Sequence, residues 1–137
     1  MVRLGIDLGS VRIGIAISDE LGMIASPLKV IQVSEDEADI TEIASIVESL
    51  DVKEIVMGLP RNMNGTYGPA ADRVREFASK LEEKLDVPIT LWDERLTTSQ
   101  ASRILIEADV SRKKRKQVVD KSAAALILQG YLDRTNI

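Results

Sequence analysis

Apolar and polar residues alternate along the first third of the chain and then recur at helical spacing along most of the rest. The segment Arg12–Ser18 carries isoleucine at every second position, which is the period typical of a strand. A shorter apolar run, Arg3–Ile6, precedes it, and the turn residues Gly9 and Ser10 between the two predict a hairpin. A third strand is predicted over Ser26–Val33.

Helical periodicity then alternates with short apolar runs. The spacing Ser34-x-x-Glu37 predicts a capping box that opens the first helix. A second amphipathic helix is predicted along the apolar stripe from Ala71 to Leu85. Strands are predicted over Glu54–Leu59 and Pro88–Trp92, one before and one after this helix.

The last third of the sequence predicts two more helices. Thr98 or Ser99 caps the first, which reaches about Ala108. The basic stretch Arg112–Lys116 is interpreted as a loop, and Asp120 is expected to begin the final, Ala- and Leu-rich helix.

The predicted order of elements is β-β-β-α-β-α-β-α-α. Three antiparallel strands followed by βαβ units predict an α/β fold: a mixed five-stranded sheet with helices on both faces. No linker, repeat or low-complexity tract interrupts the pattern, so residues 1–137 are expected to form a single domain.

Composition excludes several classes of chemistry. The 137 residues are 45% hydrophobic, but no apolar run is long enough to span a membrane, and no export signal is recognisable, so a cytoplasmic protein is expected. The chain has no His and no Cys, which excludes the usual zinc sites and catalytic triads or dyads built on His. Hydrolytic chemistry would therefore depend on carboxylates, alone or with oxygen-preferring metals.

The distribution of charge is uneven. The formal net charge is −4, yet five consecutive residues are basic, namely Arg112, Lys113, Lys114, Arg115 and Lys116. A run of this kind is commonly a solvated loop. Its position just before Asp120 favours contact with a nucleic-acid backbone, which would give affinity without sequence specificity.

Three acids stand at positions where a ligand site is expected in an α/β sheet. Asp7 follows the first strand and Glu94 follows the last, so both should emerge at the carboxyl edge if these strands lie side by side. Asp120 could approach from one face. Such an oxygen-only pocket suits Mg²⁺ or Mn²⁺. Each acid also has an ordinary structural role: a turn residue, a solvated strand end and a helix N-cap.

Four sequence blocks, in order and covering nearly the whole chain, resemble the YqgF/RuvX family. The blocks are Gly5–Ala16 with Ser18-Asp19, Gly58–Thr66 with Gly68-Pro69, Asp93–Thr98, and Asp120–Ala124. The resemblance implies an RNase H-like fold similar to that of Holliday junction resolvases of the RuvC type. The family is regarded as the pre-16S rRNA nuclease of bacteria, so the resemblance also implies nuclease activity.

The resemblance implies roles for particular residues. Asp7, Glu94 and Asp120 align with the proposed catalytic acids of the family, and they would hold the Mg²⁺ or Mn²⁺. Resolvases of the RuvC type place a fourth acid in the final helix. Here Lys121 and small residues follow Asp120, which leaves a second metal position open.

Other polar side chains near the expected site could contact nucleic acid. In the loop after the fourth strand, Arg61 and Asn64 could bind phosphate or sugar, although Asn-Gly pairs also form ordinary turns. Arg95 could hold a phosphate or pair with a neighbouring acid. Besides the basic stretch, the candidate nucleic-acid-binding residues are Arg12, Arg61, Asn64, Arg95 and Lys121.

Several functions remain open from the sequence. The first is a metal-dependent endonuclease that processes the 5′ end of a ribosomal RNA precursor. A resolvase of branched DNA is the near alternative and would need a dimer, whereas the RNA nuclease is compatible with a monomer or a homodimer. A non-catalytic nucleic-acid-binding module in ribosome assembly or transcription would keep its function after Asp7→Asn. Gly5–Ser10 also resembles the phosphate loop of actin-like ATPases and sugar kinases, but those pair two such domains.

Overall fold

Five strands form one mixed sheet in the order β3-β2-β1-β4-β5. The computed structural model describes residues 1–61, 64–93 and 112–135, with side chains from residue 123 onward in the last range. The elements are β1 (Arg3–Leu8), β2 (Arg12–Ser18), β3 (Ala25–Gln32), α1 (Ala38–Ser49), β4 (Glu54–Leu59), α2 (Pro69–Lys84), β5 (Ile89–Asp93) and α3 (Arg112–Thr135).

The directions of the strands confirm the predicted fold class. β2 pairs antiparallel with both β1 and β3, whereas β4 pairs parallel with both β1 and β5. β1 and β5 are not neighbours, so the condition under which Asp7 and Glu94 would emerge from adjacent strands is not met. The α2 crossover adds β5 to the free side of β4, so β4 lies between them and β5 is an edge strand.

The two faces of the sheet carry different helices and different cores. Side chains of a strand alternate between the faces, so neighbouring positions of β1 belong to different cores. Leu4 and Ile6 pack with residues of α1 and α2 such as Ile43 and Leu81. On the other face, Val56 of β4 packs with the α3 side chains of a second cluster, which are Ala124, Ile127, Leu128 and Leu132.

The start of α1 differs from the predicted capping box in the partner of Ser34. The Ser34 hydroxyl oxygen accepts a hydrogen bond from the Asp39 backbone N–H at 3.0 Å, and the Asp39 carboxylate accepts one from the Ser34 N–H at 3.1 Å. Glu37 has a positive φ of 63°, so the chain turns there and α1 begins at the next residue, Ala38. The reciprocal cap therefore spans Ser34 and Asp39, not Ser34 and Glu37.

The last helix begins earlier than predicted. The basic stretch Arg112–Lys116 was expected to be a loop, and Asp120 was expected to begin the helix, but α3 runs without interruption over 24 residues from Arg112 to Thr135. The physical reason is that Arg, Lys and Gln are good helix formers and that no Gly or Pro occurs before Gly130. None of the helices in the described part of the chain is long and apolar enough to cross a membrane.

α3 lies directly against the backbone of β1 at Gly5. A Cβ added to Gly5 would lie 2.8 Å from the Cβ of Leu128 and 2.9 Å from the carbonyl oxygen of Ala124. The absence of a side chain at this position is therefore what allows the helix to approach the strand so closely.

We expect Gly5→Ala to destabilise the protein by about 1 to 3 kcal/mol, because the added methyl group overpacks a contact made partly by backbone. Chemical denaturation followed by circular dichroism measures this change. An unchanged denaturation midpoint would contradict the close packing of α3 on β1.

Candidate functional site

The carboxyl ends of β1, β4 and β5 lie at the same edge of the sheet, because these three strands are parallel. Asp7 is at this edge, one residue before the end of β1. β1 continues to Leu8, and Asp7 pairs with Gly14 of β2 inside the ladder. Its side chain is half-buried and shares the α3 face with Gly5, two positions earlier.

The packing of α3 on β1 fixes which residues of the two elements lie at the same level. The guanidinium carbon of Arg3 is 5.9 Å from the ring centroid of Tyr131, and Gly5 lies against Leu128 and Ala124. Moving forward along β1 therefore means moving backward along α3. The two elements run antiparallel.

This direction puts the residues that precede Ala124 in α3 on the carboxyl side of Gly5. Asp7 is two residues beyond Gly5, or about 6.6 Å along a strand. Asp120 is four residues before Ala124, and a helix rises about 1.5 Å per residue. The backbone of α3 at position 120 therefore lies toward the same edge of the sheet as Asp7, and a contact between the two acids stays a prediction.

The third predicted acid lies outside the described residues. Asp93 is the last residue of β5, and both Glu94 and Arg95 follow it directly. Among the residues that the structure describes, no three acidic side chains are grouped closely enough to hold a metal ion. The three-acid site that the sequence predicts therefore stays a prediction.

Arg61 connects the loop after β4 to the end of β5. Its Nε donates a hydrogen bond to the Gly65 carbonyl oxygen at 2.6 Å, and its Nη1 is 3.9 Å from a carboxylate oxygen of Asp93. The side chain is 34% exposed, so it faces solvent at the edge where Asp7 lies. This placement keeps Arg61 available to a ligand bound at the carboxyl edge.

Asn64 has the turn-forming contacts that were the structural alternative to nucleic-acid binding. Its side-chain oxygen accepts hydrogen bonds from the Thr66 N–H at 3.1 Å and from the Thr66 hydroxyl group at 2.6 Å. These contacts shape the loop. Binding of nucleic acid by Asn64 stays a prediction.

The turn between β1 and β2 is tight and is held by a residue that the sequence analysis missed. The Gly9 N–H donates to the Arg12 carbonyl oxygen at 2.9 Å, and a Cβ on Gly9 would lie only 2.5 Å from that oxygen. Arg73 of α2 donates from Nη2 to the Gly9 carbonyl oxygen at 2.9 Å. Arg12 and Arg73 therefore both lie at the carboxyl edge. Arg12 was already a candidate from the sequence. For Arg73, the one signal in the sequence is its polar position beside the apolar stripe of α2.

The pair Ser18-Asp19 has a structural role at the opposite edge. The Ser18 hydroxyl oxygen accepts a hydrogen bond from the Arg3 N–H at 2.8 Å. The Asp19 carboxylate accepts from the backbone N–H groups of Met23 and Ile24, and these bonds lower the pKa of Asp19. Both residues are thus explained by the turn between β2 and β3.

A buried polar cluster at the amino edge of β1 and β4 was also missed. The Glu54 carboxylate accepts hydrogen bonds from Arg3 Nε at 2.7 Å and from the hydroxyl groups of Thr90 and Tyr131, each at 2.8 Å. Burial alone would raise the pKa of Glu54, but the bonds from Arg3, Tyr131 and Thr90 outweigh it and lower the pKa. Burial and the bond to Glu54 raise the pKa of Tyr131. This cluster joins the end of α3 to three strands.

Comparison with solved structures shows which fold class the protein has. RuvC of Thermus thermophilus in complex with a Holliday junction substrate superposes with a TM-score of 0.57 at 14% identity, over 98% of this chain and 96% of RuvC. The fowlpox virus resolvase in complex with Holliday junction DNA superposes with a TM-score of 0.58 at 9% identity, over 98% of this chain and 99% of the resolvase. At such identities the likeness shows the fold alone, which is the RNase H-like fold of resolvases.

Sequence comparison then identifies the family. The family model of RuvX, described as Holliday junction resolvase, matches residues 1–134, and the chain therefore belongs to the RuvX family. A relative from Halothermothrix orenii is 51% identical over 133 residues, which cover 97% of this chain and 95% of the relative. A relative from Shouchella clausii is 53% identical over 136 residues, which cover 98% and 96%. Both are provisionally named pre-16S rRNA nuclease, and the enzyme class of the family is that of a nuclease, a hydrolase.

Proposed function

We propose that this protein is a metal-dependent endonuclease that processes the 5′ end of pre-16S rRNA during ribosome biogenesis, with Asp7, Glu94 and Asp120 as its catalytic acids. The observation that supports the proposal most directly is the antiparallel packing of α3 on β1, which directs the Asp120 end of the helix toward the edge of the sheet where Asp7 lies.

Glu94 completes the proposed set of acids. It directly follows Asp93, the last residue of β5, and the resemblance of Asp93–Thr98 to the family implies its role. β4 separates β1 from β5, so the backbones of these two strands are roughly 10 Å apart at the usual strand spacing.

The donor set fits Mg²⁺ or Mn²⁺. All three proposed ligands are carboxylates, and the chain has neither His nor Cys to attract softer metals. Such an ion supplies Lewis-acid stabilisation of the charge that develops on a phosphoryl group. Lys121 follows Asp120, where resolvases of the RuvC type have a further acid nearby, so we propose that the minimal set of three carboxylates is sufficient.

Substrate binding is assigned to basic residues around this edge. Arg12 and Arg61 lie beside the turn and loop that follow β1 and β4. The residues Arg112–Lys116 form the first turns of α3, and Lys116 is four residues, or about one helical turn, before Asp120. We propose that this basic segment, with Arg95, Lys121 and Asn64, holds the sugar-phosphate backbone across the site.

The choice of ribosomal RNA precursor rests on the names of relatives that are more than half identical over nearly the whole chain. Since ribosomal RNA is processed in the bacterial cytoplasm, we place the protein there. Residues 1–137 would act as one domain. Cleavage of branched DNA by a dimer is the alternative, because RuvC and the fowlpox enzyme bind Holliday junctions with the same fold.

A cleavage assay tests the proposal. The substrate is a transcript that spans the junction between the 5′ leader and 16S rRNA, and a four-way DNA junction is run beside it. We expect cutting of the transcript with Mg²⁺ or Mn²⁺ and none with EDTA, because carboxylates alone do not stabilise the charge on a phosphoryl group.

Each other result has a definite meaning. Cutting that continues in EDTA would contradict the metal site. Cutting of the junction in place of the transcript would replace the RNA nuclease with a resolvase. Tight binding of the transcript without cutting under any metal would make the protein a non-catalytic module.

A further inference from the structure

Tyr67 lies under two guanidinium groups at the carboxyl edge of the sheet. The guanidinium carbon of Arg61 is 5.1 Å from the centroid of its ring, and that of Arg75 is 4.7 Å from it. All three side chains are accessible: Tyr67 is 45% exposed, and the side chains of Arg61 and Arg75 are 34% and 45% exposed. We call these three residues together the Arg-Tyr-Arg platform.

The platform is beside the proposed acids. Arg61 is 3.9 Å from Asp93, the residue before Glu94. Arg73, two residues before Arg75 in α2, donates to Gly9 in the turn that follows Asp7. The platform therefore lies between the ends of β1 and β5, on the α2 side of the edge.

Two side chains of the platform, Tyr67 and Arg75, contribute little to the packing of the described residues. Tyr67 belongs to neither hydrophobic core of the described residues. Arg75 makes one exposed, 3.4 Å contact with Asp72, a pair of the kind that contributes little to stability. A guanidinium group has five N–H donors, so Arg75 keeps most of its donors after this contact. An exposed aromatic ring beside two cations is instead suited to a ligand that has a flat face and a negative charge.

We propose that the Arg-Tyr-Arg platform binds an unpaired nucleotide of the RNA strand next to the cleavage site. The base would stack on the flat surface that the ring and guanidinium planes provide, and the adjoining phosphates would accept hydrogen bonds from the guanidinium edges. Bases inside a duplex have both faces covered by their neighbours. The platform thus selects substrates that are single-stranded at this position, an inference that rests on the proposed nuclease function for its link to cleavage.

Fluorescence anisotropy in EDTA tests binding without cleavage. The probes are a labelled single-stranded oligouridylate and a blunt-ended RNA duplex. We expect Tyr67→Ala to weaken binding of the single strand by about fivefold or more, because one base-aromatic stack is lost. Tyr67→Phe should bind like the original protein. Arg75→Ala should lower the slope of log Kd against the logarithm of the salt concentration by about 0.7.

Arg134→Ala is the matched control, because Arg134 also lies over an aromatic ring, Trp92, at 5.9 Å, but in the last turn of α3. It should leave single-strand binding unchanged. The platform is refuted if Tyr67→Ala binds the single strand as tightly as the original protein does. It is also refuted if the substitution weakens binding of the duplex as much as binding of the single strand. Circular dichroism establishes that the variants are folded, and Tyr67→Phe and Arg75→Ala each test the platform separately.

The same proteins are then assayed for cutting of the leader transcript with Mg²⁺. If the original protein binds the single strand through Tyr67 but cuts nothing, the platform stands and the nuclease proposal fails. If it cuts the transcript but Tyr67→Ala cuts and binds normally, the nuclease proposal stands and the platform fails.

Discussion

Asp7→Asn is expected to abolish metal-dependent cutting of the leader transcript while leaving the fold intact. The substitution keeps the shape of the side chain but removes one negative charge from the proposed metal site. Loss of one group that stabilises transition-state charge typically lowers kcat by about 10² to 10³-fold, and a metal ligand should cost at least as much. Single-turnover cleavage with saturating protein and Mg²⁺ measures the effect on chemistry separately from binding.

Asp86→Asn is the matched control for this variant. Asp86 is exposed and precedes β5, so it lies at the opposite edge of the sheet from Asp7. The Asp86→Asn variant should cut the transcript at the same rate as the unsubstituted protein. If Asp7→Asn also cuts at that rate, Asp7 is only a structural residue of β1 and the proposed mechanism is wrong.

Glu54→Gln is expected to have the largest effect on stability. The Arg3 and Glu54 side chains are only 14% and 10% exposed, so removing the carboxylate charge leaves the Arg3 guanidinium group buried without its counterion. Breaking a buried pair in this way costs about 3 kcal/mol or more. For a chain of this length we expect the thermal midpoint to fall by roughly 10 °C.

The acid side of the stability profile should change as well. The pKa of Glu54 is lowered in the folded protein, so its contribution is fully present above the ordinary pKa of a Glu side chain. That contribution is lost as the pH falls below that value and through the lowered folded pKa. Glu54→Gln cannot titrate, and its free energy of unfolding should therefore decline less steeply with acid.

Denaturant unfolding between neutral and acid pH measures both effects. Glu83→Gln is the control, since Glu83 is exposed on α2 and its substitution should change stability by less than about 0.5 kcal/mol. An equal acid slope in the original protein and in Glu54→Gln would show that the cluster of Arg3, Thr90 and Tyr131 does not hold the charge of Glu54.

The sequence predicted local structure well where a periodic pattern was long. The β1-β2 hairpin, β4 and α2 are within a few residues of the predicted bounds, because alternation and helical stripes reflect which side of each element is buried. The pattern failed for Arg112–Lys116. A run of charges has no apolar stripe, so its helical state is visible only in the good helix propensity of its residues.

The candidate site was predicted in part. That carboxylates would carry any hydrolytic chemistry follows from the absence of His and Cys, without any structure. The sequence left open whether β1 and β5 are neighbours. They are not, because strand order is set by the α2 crossover and not by the order along the chain. Arg73 and Arg75 were missed, since an exposed arginine in an amphipathic helix is ordinary in sequence.

By itself the sequence determined the elements, the fold class and the oxygen-only chemistry, because these depend on composition and on spacings of a few residues. The tertiary structure alone decided that α3 runs antiparallel to β1, that two guanidinium groups lie over Tyr67, and that Glu54 joins Tyr131 to Arg3. These contacts join residues far apart along the chain, except those at Tyr67. They follow from how closely α3 and α2 pack on the sheet, which a short-range pattern does not encode.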